Sequence, residues 1–185
     1  MSEALHGWDT FYVIVGSSGA ALTGLMFVVI TLTTQSRTAS GPGGLDAFAT
    51  PTVVHFCVVL LIAVILTSPR HTETSLSFGV AIVGLAGLVY SGIVLIRIRK
   101  LGSGYAPVGE DWLFHCWFPL IAYGGLIAAA VAIWRGSVTA LYVVAASALL
   151  LLYTGIHNAW DTATWMAIQS KDDKGKLTIC SDDQR

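Results

Sequence analysis

The sequence predicts an all-α protein, an integral membrane bundle of five transmembrane helices, and three observations lead to this class. Of the 185 residues, 55% are hydrophobic and only 11% are charged, whereas a soluble domain carries about 25% charged residues. The mean hydropathy is +0.72. The apolar residues fall into five runs, each close to the roughly 20 residues that a helix needs to cross a bilayer. Because lipid offers no partner to a backbone amide, each run is expected to be helical.

The five runs have clear boundaries. The predicted spans cover residues 11 to about 32, 51 to just before 69, 76 to about 96, 112 to 134, and 138 to beyond 161. Thr50 is a good N-cap and Pro51 a good first helical residue, so we expect the second helix to begin there. The RGS segment at 135–137 predicts a tight turn between the last two helices.

The chain divides into two parts. Residues 1–170 form the predicted five-helix transmembrane domain. Residues 171–185 are charged and low in bulky apolar side chains, and such segments do not bury enough surface to fold alone. We therefore expect a disordered cytoplasmic tail.

Basic residues are unevenly divided between the two predicted sides of the bundle. With five spans, the chain ends lie on opposite sides. The side of the N-terminus holds Arg70 and Arg135, and the other side holds Arg37, Arg97, Arg99, Lys100, Lys171, Lys174, Lys176 and Arg185. Because Lys and Arg accumulate in cytoplasmic loops, we expect the N-terminus outside and the C-terminus in the cytoplasm.

Small residues recur at four-residue spacing on three of the spans. These stripes are Gly16, Ala20 and Gly24; Gly87 and Ser91; and Gly124, Ala128 and Ala132. Helices in lipid associate through such small faces. We expect the stripes to pack the bundle, with contacts between copies of the chain as the alternative.

Three histidines lie on three different spans, near one side of the membrane. His55 and His115 each follow the predicted start of a span by about one turn, and His157 closes the apolar run of the fifth span. The second and fourth spans begin on the predicted cytoplasmic side and the fifth ends there, so the three imidazoles lie at similar depth. Ionisable groups at membrane depth are candidates for function.

Two carboxylates accompany these histidines. Asp111 precedes His115 by four residues, and Asp161 follows His157 by four. Residues at this spacing share a helix face, so each carboxylate can hold one ring nitrogen of its histidine. Pro119 has no N–H to donate, and it predicts a kink near His115.

Imidazole and carboxylate ligands in this number suit zinc, iron or manganese. The predicted metal ligands are His55, His115, His157, Asp161 and Asp111. A haem-binding redox subunit, in which two of the histidines ligate the iron, is one alternative. Another is a non-enzymatic oligomeric channel or an accessory subunit of a larger membrane complex, with the histidines in the interfacial aromatic belt.

An enzyme is the less favoured class, because the sequence has no nucleophile elbow, phosphate-binding glycine loop or HExxH motif. The net charge of −1, without a basic patch, argues against a nucleic acid partner. Cys57, Cys116 and Cys180 are an odd number without paired spacing, so neither a disulfide framework nor a zinc finger is predicted. The expected partners are the lipid bilayer and either a second copy of the chain or a larger membrane complex.

Three segments carry a resemblance to a known family. They are DAFATPTVVHF at 46–56, EDWLFH at 110–115 followed by Pro119 and Tyr123, and GIHNAWDT at 155–162. They resemble motifs of a family of small bacterial polytopic integral membrane proteins to which no function is assigned. The resemblance covers most of the chain outside the tail. It implies a multi-pass protein of a bacterial inner membrane, and it implies no activity.

Overall fold

The computed structural model describes residues 5–36, 45–69, 72–100 and 112–182, and this part of the chain is all-helical. It contains five long helices, which are α1 (Asp9–Ser36), α2 (Leu45–Thr67), α3 (Glu73–Lys100), α4 (Leu113–Trp134) and α5 (Ala140–Asp182). The predicted all-α class is confirmed.

Four stretches within these helices are long and apolar enough to cross a membrane, namely Asp9–Thr31, Glu73–Ile96, Leu113–Trp134 and Ala140–Thr164. The described apolar part of α2, Pro51–Thr67, is shorter. The helices are therefore those of a membrane protein. The number of spans and the orientation of the termini stay predictions.

The predicted start of the second helix is wrong. α2 begins at Leu45 and contains Pro51 in its interior. The leucine and alanines before the proline favour a helix, and the fixed φ of proline is itself helical, so the helix continues through Pro51 at the loss of one backbone hydrogen bond. His55 consequently lies about three turns into the helix rather than one.

α5 is longer than the span predicted from its apolar run. Its backbone is helical as far as Asp182, through most of the segment 171–185 for which the sequence predicts disorder. Within the described residues, the last turns project beyond the apolar stretch that ends at Thr164. The division of the chain at residue 170 stays a prediction.

Three helices form the centre of the bundle. α5 packs against both α2 and α4, while α1 packs mainly on α2 and α3 mainly on α4. A hydrogen bond between His55 and Tyr123 joins α2 to α4. The three helices that carry the predicted histidines are thus brought together.

Two glycines allow helices to approach unusually closely at this centre. A Cβ added to Gly87 of α3 would overlap the ring of Tyr123, and one added to Gly155 of α5 would overlap the ring of Phe56. Only glycine leaves room for these buried aromatic rings. The rings of Phe56 and Tyr123 are therefore held by backbone on one side.

The predicted packing stripes are confirmed only in part. Gly87 and Ser91 are buried, and Gly16 faces Ala63 of α2. Ala132 of the α4 stripe packs against the core, but the remaining members of the α1 and α4 stripes do not pack as predicted. Ala20, Gly24 and Ala128 are exposed, and a Cβ at Gly124 would meet no neighbour. Rows of residues four apart slant around a helix, so a crossing helix contacts such a row only near the crossing point.

The predicted turn between α4 and α5 is confirmed. Gly136 has a φ of 80°, a conformation that side chains with a Cβ rarely adopt. Its N–H donates to Ile133 O at 2.8 Å, and the N–H of Ser137 donates to Ala132 O at 3.0 Å. These two bonds form a Schellman C-cap, and α5 then returns antiparallel to α4.

Candidate functional site

His55 and Tyr123 form a buried polar pair between α2 and α4. His55 is 2% exposed and Tyr123 is fully buried. The Nδ1 atom of His55 lies 2.9 Å from the hydroxyl oxygen of Tyr123. The phenol thus holds one ring nitrogen of His55 in the interior of the bundle.

His115 lies in a π turn at the start of α4. The turn covers Leu113–Trp117, and the N–H of Phe118 donates to Leu113 O. The next residue, Pro119, has no N–H to continue the backbone pattern, and the π turn lies just before it; the kink predicted there stays a prediction. Turns of this kind occur often at functional sites.

His157 is held by two neighbours. Its Nδ1 atom lies 3.2 Å from Oδ2 of Asp161, so the predicted pairing of these two residues is present. Its ring stacks on Phe114, with the centroids 3.5 Å apart and the planes 5° from parallel. Phe114 directly precedes His115, so the π turn of α4 contacts α5 through this stack.

The three predicted histidines lie on helices that pack together, but His55 and His157 have different partners. His55 contacts Tyr123, whereas His157 contacts Asp161 and Phe114. Within the described ranges, no three or more His, Cys, Asp or Glu side chains are grouped so that they could hold a metal ion. Asp111, the fifth predicted ligand, lies outside the described residues. The two histidine rings are held apart because the Tyr123 hydroxyl bonds to His55 and the Phe114 ring stacks on His157. The sequence does not predict either contact.

Two buried polar side chains of α5 lie outside the predicted set of ligands. Asn158 is 2% exposed, and neither atom of its amide has a hydrogen-bond partner among the described residues. Thr154 is fully buried, and its hydroxyl likewise has no partner there. The backbone carbonyl of Asn158 accepts a hydrogen bond of 2.8 Å from the hydroxyl of Thr162. That bond leaves the side-chain amide of Asn158 without a partner among the described residues. A signal was present in the sequence: two polar residues, four apart, at the end of an apolar run.

Thr154 and Asn158 lie at the level of the buried pair. Gly155 packs on the ring of Phe56, and Phe56 directly follows His55. Residues 147, 151, 154 and 158 share one face of α5, and Ser147 on that face lies against Gly125 of α4. We call His55, Tyr123, Thr154 and Asn158 the polar centre. It lies between α2, α4 and α5.

Comparison of the chain with protein-family models, with curated proteins and with solved structures finds no match. The resemblance to the bacterial membrane protein family therefore stays a prediction.

Proposed function

We propose that the protein is a five-span protein of a bacterial inner membrane that binds a small ligand at its polar centre. The support for five spans comes from α2, whose 23 residues give a helix of about 35 Å at roughly 1.5 Å per residue, which exceeds a bilayer core of about 30 Å. α2 also packs between α1 and α5, as a spanning helix would.

The burial of the Asn158 amide is the one observation that supports a ligand site. Neither the donor nor the acceptor of the Asn158 amide has a partner in the described part of the chain, at 2% exposure. A buried amide without hydrogen bonds is destabilised by several kcal/mol in an apolar medium, so such groups in native proteins normally have a partner. A bound ligand supplies that partner.

A metal ion is the second candidate, with the predicted ligands His55, His115, His157, Asp161 and Asp111. Two observations favour it. Phe114, which directly precedes His115, stacks on His157, and the Asp161 carboxylate lies 3.2 Å from Nδ1 of His157, on the side from which carboxylates orient metal-ligating imidazoles. Metal binding requires the rings to move together from their present partners. A haem held by two of these histidines, and a channel or accessory subunit, remain the further hypotheses.

Identification of the small molecules that stay bound to the purified protein tests this proposal. We expect protein prepared without chelator to carry about one small molecule per chain, released by denaturing extraction and identified by mass spectrometry. Replacing Asn158 by leucine should abolish its retention. Replacing Ser147 by alanine, which also alters a buried polar residue of α5, should leave retention unchanged.

The same preparation separates the alternatives. A stoichiometric metal in elemental analysis, lost on replacing His115 by alanine, would favour the metal site over the polar centre. A colourless preparation from haem-supplemented cells would exclude the hypothesis that the protein binds haem. Ion flux in liposomes would favour a channel. A preparation that carries no species at all would contradict ligand binding.

The proposed orientation has a separate test. The N-terminus lies outside and the C-terminus in the cytoplasm, supported by the basic residues near the ends of α1, α3 and α5. A reporter fused after residue 185 should be inaccessible from the outer face in intact cells. Labelling of that reporter by an impermeant reagent would refute the orientation.

A further inference from the structure

We propose that the polar centre binds an uncharged molecule that both donates and accepts hydrogen bonds, of which a small carboxamide is the simplest. This inference rests on the proposed ligand site and names the chemistry of its occupant. It follows from the kinds of polar group that are buried there and from those that are not.

The donor and acceptor inventory defines the ligand. The Asn158 amide offers an N–H donor and a carbonyl acceptor, both without a partner among the described residues, and the Thr154 hydroxyl offers a third group. A carboxamide pairs with another carboxamide through two hydrogen bonds, because each supplies what the other lacks. One small molecule can therefore form hydrogen bonds with both the nitrogen and the oxygen of the Asn158 side-chain amide.

The absence of buried charge near these groups selects an uncharged ligand. Within the described ranges, the buried polar side chains are serine and threonine hydroxyls, one amide and one imidazole, beside two buried tyrosines. The imidazole is already bonded to Tyr123. An ion transferred to such surroundings needs an opposite charge beside it, and no buried carboxylate, lysine or arginine is among these groups to supply one.

Two buried aromatic rings, those of Phe56 and Tyr123, belong to or adjoin the polar centre. Phe56 packs on Gly155, next to Thr154, and Tyr123 packs on Gly87. The rings of Phe56 and Tyr123 are thus each held by glycine backbone on one side. Such mostly apolar surroundings with a few fixed polar groups are typical of small-molecule sites.

The test measures thermal unfolding of the purified full chain with acetamide and with acetate. The two probes have nearly the same shape and differ in charge. We expect acetamide to raise the Tm of wild-type protein from which the bound molecule has first been removed, because a ligand that binds only the folded state stabilises it, and acetate to leave it unchanged. The acetamide response should be lost in Thr154→Val, which replaces a hydroxyl by a methyl group of the same shape, and in Asn158→Leu.

Ser147→Ala is the matched control, and it should keep the acetamide response. Thr154→Val conserves shape, so it remains informative even if Asn158→Leu fails to fold. A wild-type Tm that does not respond to acetamide would overturn the inference and leave water as the occupant. A response to acetate or to zinc chloride that Thr154→Val abolishes would overturn the uncharged class while leaving ligand binding intact. Wild-type protein that carries no bound molecule as purified, and whose Tm responds to neither probe, would overturn both proposals.

Discussion

The hydrogen bond between His55 and Tyr123 can be tested by removing a single atom. Tyr123→Phe keeps the ring that packs on Gly87 and deletes only the hydroxyl oxygen, 2.9 Å from Nδ1 of His55. Both side chains are buried, at 2% and 0% exposure, so water cannot replace the lost partner. The substitution therefore leaves a buried imidazole nitrogen unsatisfied.

The expected magnitude follows from this burial. Leaving a buried polar group without its partner costs about 1–3 kcal/mol, whereas hydrogen bonds between membrane helices contribute on average about 0.6 and at most about 1.7 kcal/mol. We expect Tyr123→Phe to lower the free energy of unfolding by about 1–2 kcal/mol. At roughly 2–4 °C for each kcal/mol in a chain of this size, the Tm should fall by about 2–8 °C.

A double-mutant cycle isolates the bond. Reversible unfolding in mixed micelles is measured for the wild type, Tyr123→Phe, His55→Leu and the double variant, and the coupling should be about 0.6–1.7 kcal/mol. Tyr142→Phe is the control, because that tyrosine is 67% exposed and should change stability by less than about 0.5 kcal/mol. A coupling of zero, with additive single effects, would refute the pairing of α2 with α4 through these side chains.

Two further substitutions test the packing of α3 against α4. Gly87→Ala places a methyl group against the ring of Tyr123 and should destabilise the protein by about 1–3 kcal/mol. Its control is Gly92→Ala, where an added Cβ meets nothing within 4 Å, and this change should be neutral or stabilising by up to about 1 kcal/mol. Equal effects of the two substitutions in thermal unfolding would argue against the close approach of α3 to Tyr123. Ser77→Ala removes a buried bond of 2.8 Å to the carbonyl oxygen of Ala130 and should cost about 0.5–1.5 kcal/mol in the same assay; an unchanged Tm would show that this bond contributes nothing.

Local features of the fold could be predicted from the sequence. Apolar runs of the right length indicated helices, and Gly136 with its flanking residues indicated the turn between α4 and α5. The contact of His157 with Asp161 follows from a spacing of four residues on one helix. In each case the cause lies within a few residues of its effect.

Contacts between distant residues could not be predicted in the same way. Tyr123 lies 68 residues from its partner His55, and nothing in the spacing along the chain selects it over another polar side chain. The described members of the predicted metal set are not grouped for a related reason. Depth along a helix can be counted from the sequence, but the direction in which each ring points depends on how the helices rotate and cross.

The most direct test of the account is an experimental density map of the protein in lipid, at a resolution that shows ordered small molecules. We expect a density feature within hydrogen-bonding distance of both the Asn158 amide and the Thr154 hydroxyl, beside the His55–Tyr123 pair. A map in which these two side chains are bonded to other residues of the chain, or pack against apolar neighbours without any intervening density, would contradict it.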